Sequence, residues 1–373
     1  MRPKTLAPAL AAALLLCGAA EAAEIRVGIR LGAPSFRLRT DGQVFVRDLA
    51  SGRRYLLVEK SPYEITPAGG LVRVAGETLG PEISLEPKEG DLGVKINGVF
   101  YRGRLAVKAA PGGSLNVVEH LDIEDYLEGV LPVEMSPGSP LEALKAQAVA
   151  SRSYALKRLS PSRDYDVTAD VNSQVYNGRN NVNGRIRTAI DKTRGQVLTY
   201  KGRTITAYFH ACCGGHTASS TAAWGENIYK PLYGVKDPFC ASSRHSSWKL
   251  YVPERDLLSF IQKQGSTALS LKKVRVAKKD RSGRALRVAF DTEKKTHYAE
   301  GKALRAAFGN SDFRSTLITS VSPTSGGWLF KGRGWGHGVG MCQSGAATMA
   351  NRGRDYKRIL RHYYPGASIT VLK

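Results

Sequence analysis

Acidic residues are in short supply: 32 aspartates and glutamates stand against 55 lysines and arginines in 373 residues, a formal net charge of +23. A surplus of that size attracts polyanions, although solubility alone is the simpler account. The basic residues are spread along the chain. No clustered arm or recognition helix forms, which argues against a nucleic-acid partner. Beyond residue 16 no apolar run is long enough to cross a bilayer, so no transmembrane segment is expected in the mature chain. No internal repeat or low-complexity tract is present, which sets aside repeat arrays. Cysteine is also scarce, five in all.

The chain opens with a leader. Arg2 and Lys4 are followed by the apolar run Leu6 to Leu16 and then by Ala20-Glu21-Ala22, a small-x-small cleavage site. This pattern reads as a secretory signal peptide over residues 1–22, so export is expected, to the periplasm or to the cell wall or extracellular space. Leu16 is too bulky for the position before a lipidated cysteine, which disfavours Cys17 as a lipid anchor. Export permits disulfides. Cys212, Cys213, Cys240 and Cys342 allow three complete pairings. Adjacent cysteines pair poorly, so Cys213 with Cys240 is the favoured bridge, with Cys212 as the competing partner.

The pattern of elements predicts an α+β fold. Residues 23–98 read as a β-rich region, with strands such as "EIRVGIRL" and "QVFVRD". A mixed α/β core with a groove follows over 99–248 and returns over 323–373. A smaller α+β unit is inserted at 249–322, with a hairpin turning at Ser282-Gly283. Within the core, Asp122 and Gly129 bracket a short helix. A second helix is expected to start with Ser139 as cap, Pro140 in the first position and Glu142 completing a capping box. Its face Leu141, Leu144, Ala148, Ser151, Ala155 and Leu159 is mostly small, which predicts close packing, and Pro161 is expected to end it.

Glu134 is a lone carboxylate among Leu131, Pro132, Val133 and Met135. Lost hydration there favours the neutral acid, which can donate a proton near neutral pH. The simpler reading is a solvated loop glutamate. The glycine-rich loop from Gly332 to Gly340 matches neither a phosphate loop nor a dinucleotide fingerprint. Its glycines bring backbone close to something, either a polysaccharide or a neighbouring strand. His337 within it, with Cys342 nearby, raises a cysteine hydrolase, although a buried structural thiol is the plainer account. "FHACCGGH" with Cys240 raises a metal site, but its spacing fits no zinc-finger pattern.

Taken together, "GVLPVEMSPGSPLEALKAQAVASRSYAL", "SQVYNG", "AYFHACCGGHT", "GVKDPFC", "SGRALRV" and "GRGWGHGVGMCQSGA" resemble, in that order, the stage II sporulation protein D family, which includes the amidase enhancers. The resemblance covers about residues 100 to 370. It implies a peptidoglycan lytic transglycosylase that needs no cofactor, in which the glutamate of the Pro-x-Glu-Met block, here Glu134, is the catalytic acid. It implies glycan strands as substrate and, for the enhancer branch, a wall amidase as partner. It also implies a sugar groove lined by Gln174, Tyr176, His210, His337 and Gln343, with Trp335 as a wall. Arg152 is expected to hold helix to groove. Some family members carry zinc-ligating His and Cys just before Gln-x-Tyr. Asn172 and Ser173 stand there instead, so no metal is expected at that place.

Overall fold

Apolar and polar residues alternate along the early strands because one face is buried. In Phe36–Asp41, Phe36, Leu38 and Thr40 are buried while Arg37 and Arg39 are exposed. A computed structural model describes residues 23–57, 62–88, 93–170, 173–225 and 229–372. The expected leader at 1–22 and its cleavage site lie outside the described residues. No helix among the described residues is long and apolar enough to cross a membrane.

The fold is α+β, with eight α-helices and several sheets among the described residues. A seven-stranded sheet runs in the order Val167–Thr168, Glu24–Ala33, Ser114–Asp122, Arg104–Ala110, Glu82–Pro87, Val44–Asp48, Arg54–Leu57. A six-stranded sheet is built around Phe36–Asp41, with Gly93–Ile96 and Pro62–Ala68 on either side. The buried side chains of both sheets join one hydrophobic cluster with the helices that follow. Each fully buried Val, Ile or Leu there contributes roughly 1.5–3 kcal/mol.

The helices are α1 (Ile123–Glu134), α2 (Leu141–Leu156), α3 (Gly184–Asp191), α4 (Ser220–Trp224), α5 (Glu254–Gln262), α6 (Gly301–Ala307), α7 (Gln343–Asn351) and α8 (Tyr356–Tyr363). The sheet hands the chain directly to α1. Strand Ser114–Asp122 pairs with Glu24–Ala33, and Asp122 at its end caps α1 by accepting from the Glu124 N–H. The helix does not stop at Gly129, as its sequence suggests, but continues through Pro132 to Glu134. Gly129 is required for packing: a Cβ there would overlap the Tyr176 ring. Glu134 is therefore the last helical residue, on an element fixed to the sheet.

The start of α2 also differs from expectation. Its N-cap is Pro140, with no side-chain cap hydrogen bond. Glu142 does not reach back to complete a capping box. One of its carboxylate oxygens binds Lys145 and the other accepts from the Tyr356 N–H at the start of α8. The expected small face is buried at Leu144, Ala148, Ser151 and Ala155, and α2 packs against α1, α3, α7 and α8, but the helix ends at Leu156, short of Pro161, and Leu159 is exposed. Arg152 on α2 is fully buried. It binds both oxygens of Glu124 on α1, at 2.8 and 2.6 Å, and donates to the Gln196 carbonyl at 2.9 Å. Arg152 thus holds α2 to α1.

A second hydrophobic cluster gathers Trp248, Leu257, Ile261, Val288, Phe290, Leu304, Phe313 and Phe330. The hairpin Leu271–Lys279/Ala285–Thr292 turns where expected: Asp280 accepts from the Ser282 and Arg284 N–H groups and Gly283 has φ +85°. Arg284, just past this turn, reaches out of its own unit. It donates to the carbonyls of Cys213 and His216 in the core, at 2.7 and 2.8 Å.

Replacing Arg152 by Ala leaves the buried Glu124 carboxylate without its cation. The expected loss is about 3–5 kcal/mol in urea unfolding, and Arg152→Lys, which cannot make the two-pronged contact, recovers only part of it.

Candidate active site

Glu134 opens onto a cleft of about 910 Å³. The carboxylate is half-buried. Its Oε1 accepts the Val175 N–H at 3.0 Å, and the Gln343 side chain donates to the carboxylate as well. Burial pushes its pKa up, and these two donors offset only part of that shift. Its place at the carboxyl end of α1, where the helix dipole is negative, acts in the same direction. Gln343, the first residue of α7, is held in turn. Its Nε2 donates to Oε1 of Gln147, a buried residue of α2.

The structure brings Glu134, Gln174, His210, Trp335, His337 and Gln343 into one cleft lining. Gln174 is buried, and its Oε1 accepts from the Tyr126 hydroxyl at 3.2 Å. Its Nε2 is a buried donor with no protein partner. His210 directs Nδ1 to the Val339 carbonyl at 3.1 Å, and burial keeps the ring neutral. With the proton on Nδ1, the unpartnered Nε2 is an acceptor.

His337 behaves differently. Its Nδ1 accepts from the Val339 N–H at 3.0 Å, and its other nitrogen bonds the Phe209 backbone. Burial lowers its pKa to about 4. With Nδ1 accepting, the neutral ring carries its proton on the other nitrogen, so His337 supports the wall and offers no free base. Cys342 is fully buried and outside the cleft lining, which removes the Cys342/His337 hydrolase.

Tyr176 is not part of the lining, contrary to expectation. It lies underneath, stacked on Tyr126 with ring centroids 5.3 Å apart, and donates to Glu119 at 2.8 Å. Among the described residues of the segment before it, only Val167–Thr168 is a strand. The Val175 N–H lies outside any strand and is free to reach Glu134. Ser173 accepts hydrogen bonds from the Thr168 N–H and hydroxyl. Asn172 lies outside the described residues.

The glycine-rich loop approaches protein. A Cβ at Gly340 would overlap the Tyr208 carbonyl, and one at Gly338 would overlap the Arg284 guanidinium; both glycines have positive φ. The sequence reading missed Trp224, Tyr208, Arg158 and Arg305, which also line the cleft. Trp224 ends α4, 39% exposed, with its ring 4.5 Å from Tyr208 and 5.0 Å from His337. Its sequence signal was a tryptophan followed by Gly225, whose left-handed backbone ends the helix and leaves the ring at the rim.

The expected bridge partners Cys213 and Cys240 are neighbours, with Sγ atoms 3.4 Å apart, but all four cysteines are free thiols in the structure.

A family model described as stage II sporulation protein matches residues 111–200, which include Glu134 and Gln174. A second, described as a domain of unknown function, matches residues 242–340. The chain is 36% identical over 288 residues to an uncharacterized protein of Brachyspira hyodysenteriae, covering 74% of each. It is 30% identical to the stage II sporulation protein D of Bacillus amyloliquefaciens, over 68% of this chain and 75% of that one. It is also 30% identical to the amidase enhancer of Bacillus subtilis, over 65% of this chain but only 40% of that protein's length.

Beneath the site, Glu119 is fully buried and accepts from the Arg102 and Gly103 N–H groups and the Tyr176 hydroxyl. Burial raises its pKa from 4.5 to about 7. The folded protein therefore holds this proton more tightly than the unfolded chain. Stability is greatest below the unfolded value and falls, by about 3 kcal/mol, as pH rises through the folded one. Glu119→Gln is expected to flatten that slope in pH-dependent urea midpoints and to be the more stable protein at alkaline pH.

Proposed function

The chain belongs to the stage II sporulation protein D family, and from that premise we propose that it is an exported lytic transglycosylase of peptidoglycan glycan strands. The observation that carries the proposal is the number of carboxylates: among the described residues lining the cleft, Glu134 is the sole one. Hydrolysis of a glycosidic bond ordinarily uses two carboxyl groups, one as acid and one as base or nucleophile. A transglycosylase needs one, because the sugar supplies its own nucleophile.

In this reading the protonated Glu134 donates to the oxygen linking N-acetylmuramic acid to N-acetylglucosamine, and the C1–O bond breaks. The carboxylate left behind takes the proton from the C6 hydroxyl as that oxygen attacks C1. The product is a 1,6-anhydro end, and Glu134 is again protonated. The attack is intramolecular and gains from proximity. Val175 and Gln343 suit both halves of the cycle. They restrain the carboxyl and stabilise its ionised form without abolishing the upward shift. The Gln174 Nε2 donor and the His210 Nε2 acceptor suit hydroxyl or acetamido groups, and Trp224 and Trp335 offer faces for pyranose rings.

A second reading rests on the similarity to the amidase enhancer: a wall-binding protein that speeds a separate wall amidase. One assay separates the two. Mature protein is incubated with peptide-free glycan strands, and the products are weighed by mass spectrometry for anhydro ends, which are one water lighter than hydrolysed ends. The wild type is expected to release them. Glu134→Gln is expected to lose at least about 100-fold in rate while folding normally, since it removes a carboxylate whose ionisation burial disfavours. Wild-type rate should fall as pH rises through the raised Glu134 pKa, because the acid form is the competent one. Equal product from Glu134→Gln would overturn the assignment. Absence of cutting by either protein, with faster turnover of an added amidase, would favour the enhancer.

A further inference from the structure

Three parts of the chain bring sulfur to one buried point. Cys213 follows the short strand Phe209–His210, Cys240 ends the 3₁₀ turn Pro238–Cys240, and Cys342 caps α7. Asp237 precedes that turn. The Sγ atoms of Cys213, Cys240 and Cys342 and a carboxylate oxygen of Asp237 all lie within 4.8 Å of one another. The three thiols and the carboxylate are buried, each at most 1% exposed. Among the described residues this is the one group of three or more potential metal ligands so placed. It draws on neither histidine of "FHACCGGH": His210 bonds the Val339 carbonyl and His216 the Thr217 carbonyl.

A disulfide between Cys213 and Cys240 accounts for only half of this cluster. It leaves Cys342 unused, removes the Cys213 thiol proton that Asp237 accepts, and leaves Asp237 a buried carboxylate held by the Tyr363 hydroxyl and the Phe239 N–H, neither of them a cation. A buried carboxylate with no cation beside it is costly even when hydrogen-bonded. A tetrahedral divalent ion uses all four groups. The surroundings are those of thiolate ligands. Sγ of Cys342 accepts N–H bonds from Cys213 and Gly345, and Sγ of Cys213 accepts one from Gly215. The buried Arg284 guanidinium binds the Cys213 carbonyl at 2.7 Å, a nearby positive charge for a site with four anionic ligands. Tyr363 orients the carboxylate from behind, as outer partners of metal ligands do.

We propose that Cys213, Cys240, Cys342 and Asp237 bind a structural zinc ion. Soft thiolates in a closed tetrahedral set favour zinc over harder cations. Binding releases the thiol protons to solvent and involves no redox change. The site lies apart from the cleft but is joined to it through the backbone: Cys342 immediately precedes Gln343, and Cys213 lies three residues after His210. The ion would fasten two groove residues to one point, whatever chemistry the groove performs.

The test uses full-length protein exported through its own leader and purified without chelator. Metal analysis is expected to find one zinc per chain, and intact mass after denaturation in chelator should show every thiol reduced. Cobalt in place of zinc should give tetrahedral d–d bands and thiolate charge-transfer absorption. Cys342→Ser and Asp237→Asn are expected to lose zinc at least tenfold in affinity. Because those variants carry a risk of misfolding, Tyr363→Phe, which removes one hydroxyl, is measured beside them and is expected to bind about tenfold more weakly. Metal-free protein would overturn the inference, either two hydrogens lighter with a Cys213–Cys240 cross-linked peptide or with all thiols free.

Discussion

The buried pair between Arg152 and Glu124 governs the geometry of the whole site. Glu124 sits in the first turn of α1 and Glu134 at its last residue, so whatever fixes one end of this helix aims the other. Arg152 fixes it from α2, and through the Gln196 carbonyl it ties both helices to the strand Gln196–Tyr200. The same α2 supplies Gln147, which holds Gln343 against Glu134 from the opposite side. The acid is therefore set by two routes that meet in one helix. Small residues along α2 let its neighbours approach closely enough for both contacts.

The lower layer is polar and buried. Glu119 takes the Tyr176 hydroxyl, Tyr176 stacks on Tyr126, and Tyr126 bonds Gln174. A chain of hydrogen bonds and stacked rings thus runs from the sheet to the cleft floor. Such networks specify one arrangement when every member is satisfied. Here the free polar end, Nε2 of Gln174, is at the cleft. Order in the sheet is transmitted to the position of a single donor.

Much of this was legible in the sequence. The alternating strands, the hairpin at Ser282-Gly283 and the lone Glu134 all follow from local rules, because each depends on neighbours a few residues away. What failed depended on distant partners. Gly129 looked like a helix stop, but the Tyr176 ring, far along the chain, is what excludes a side chain there. Glu142 looked like half of a capping box and is claimed by Lys145 and the start of α8. Tyr176 carried the family block but serves beneath the groove. Trp224 had no periodic pattern around it, and only the fold places it beside His337.

The tip of the inserted hairpin has one further consequence. Arg284 lies under Gly338 and bonds carbonyls on the far side of the loop. The unit that carries it has its own hydrophobic cluster and looks like an appendage that trimming would leave behind harmlessly. Yet its guanidinium is a wedge under the cleft wall, and the loop above it carries glycine at position 338 because a side chain there would meet the wedge. A chain shortened past Arg284 would lose the prop beneath Gly338 and, with it, the hold on the Cys213 and His216 carbonyls.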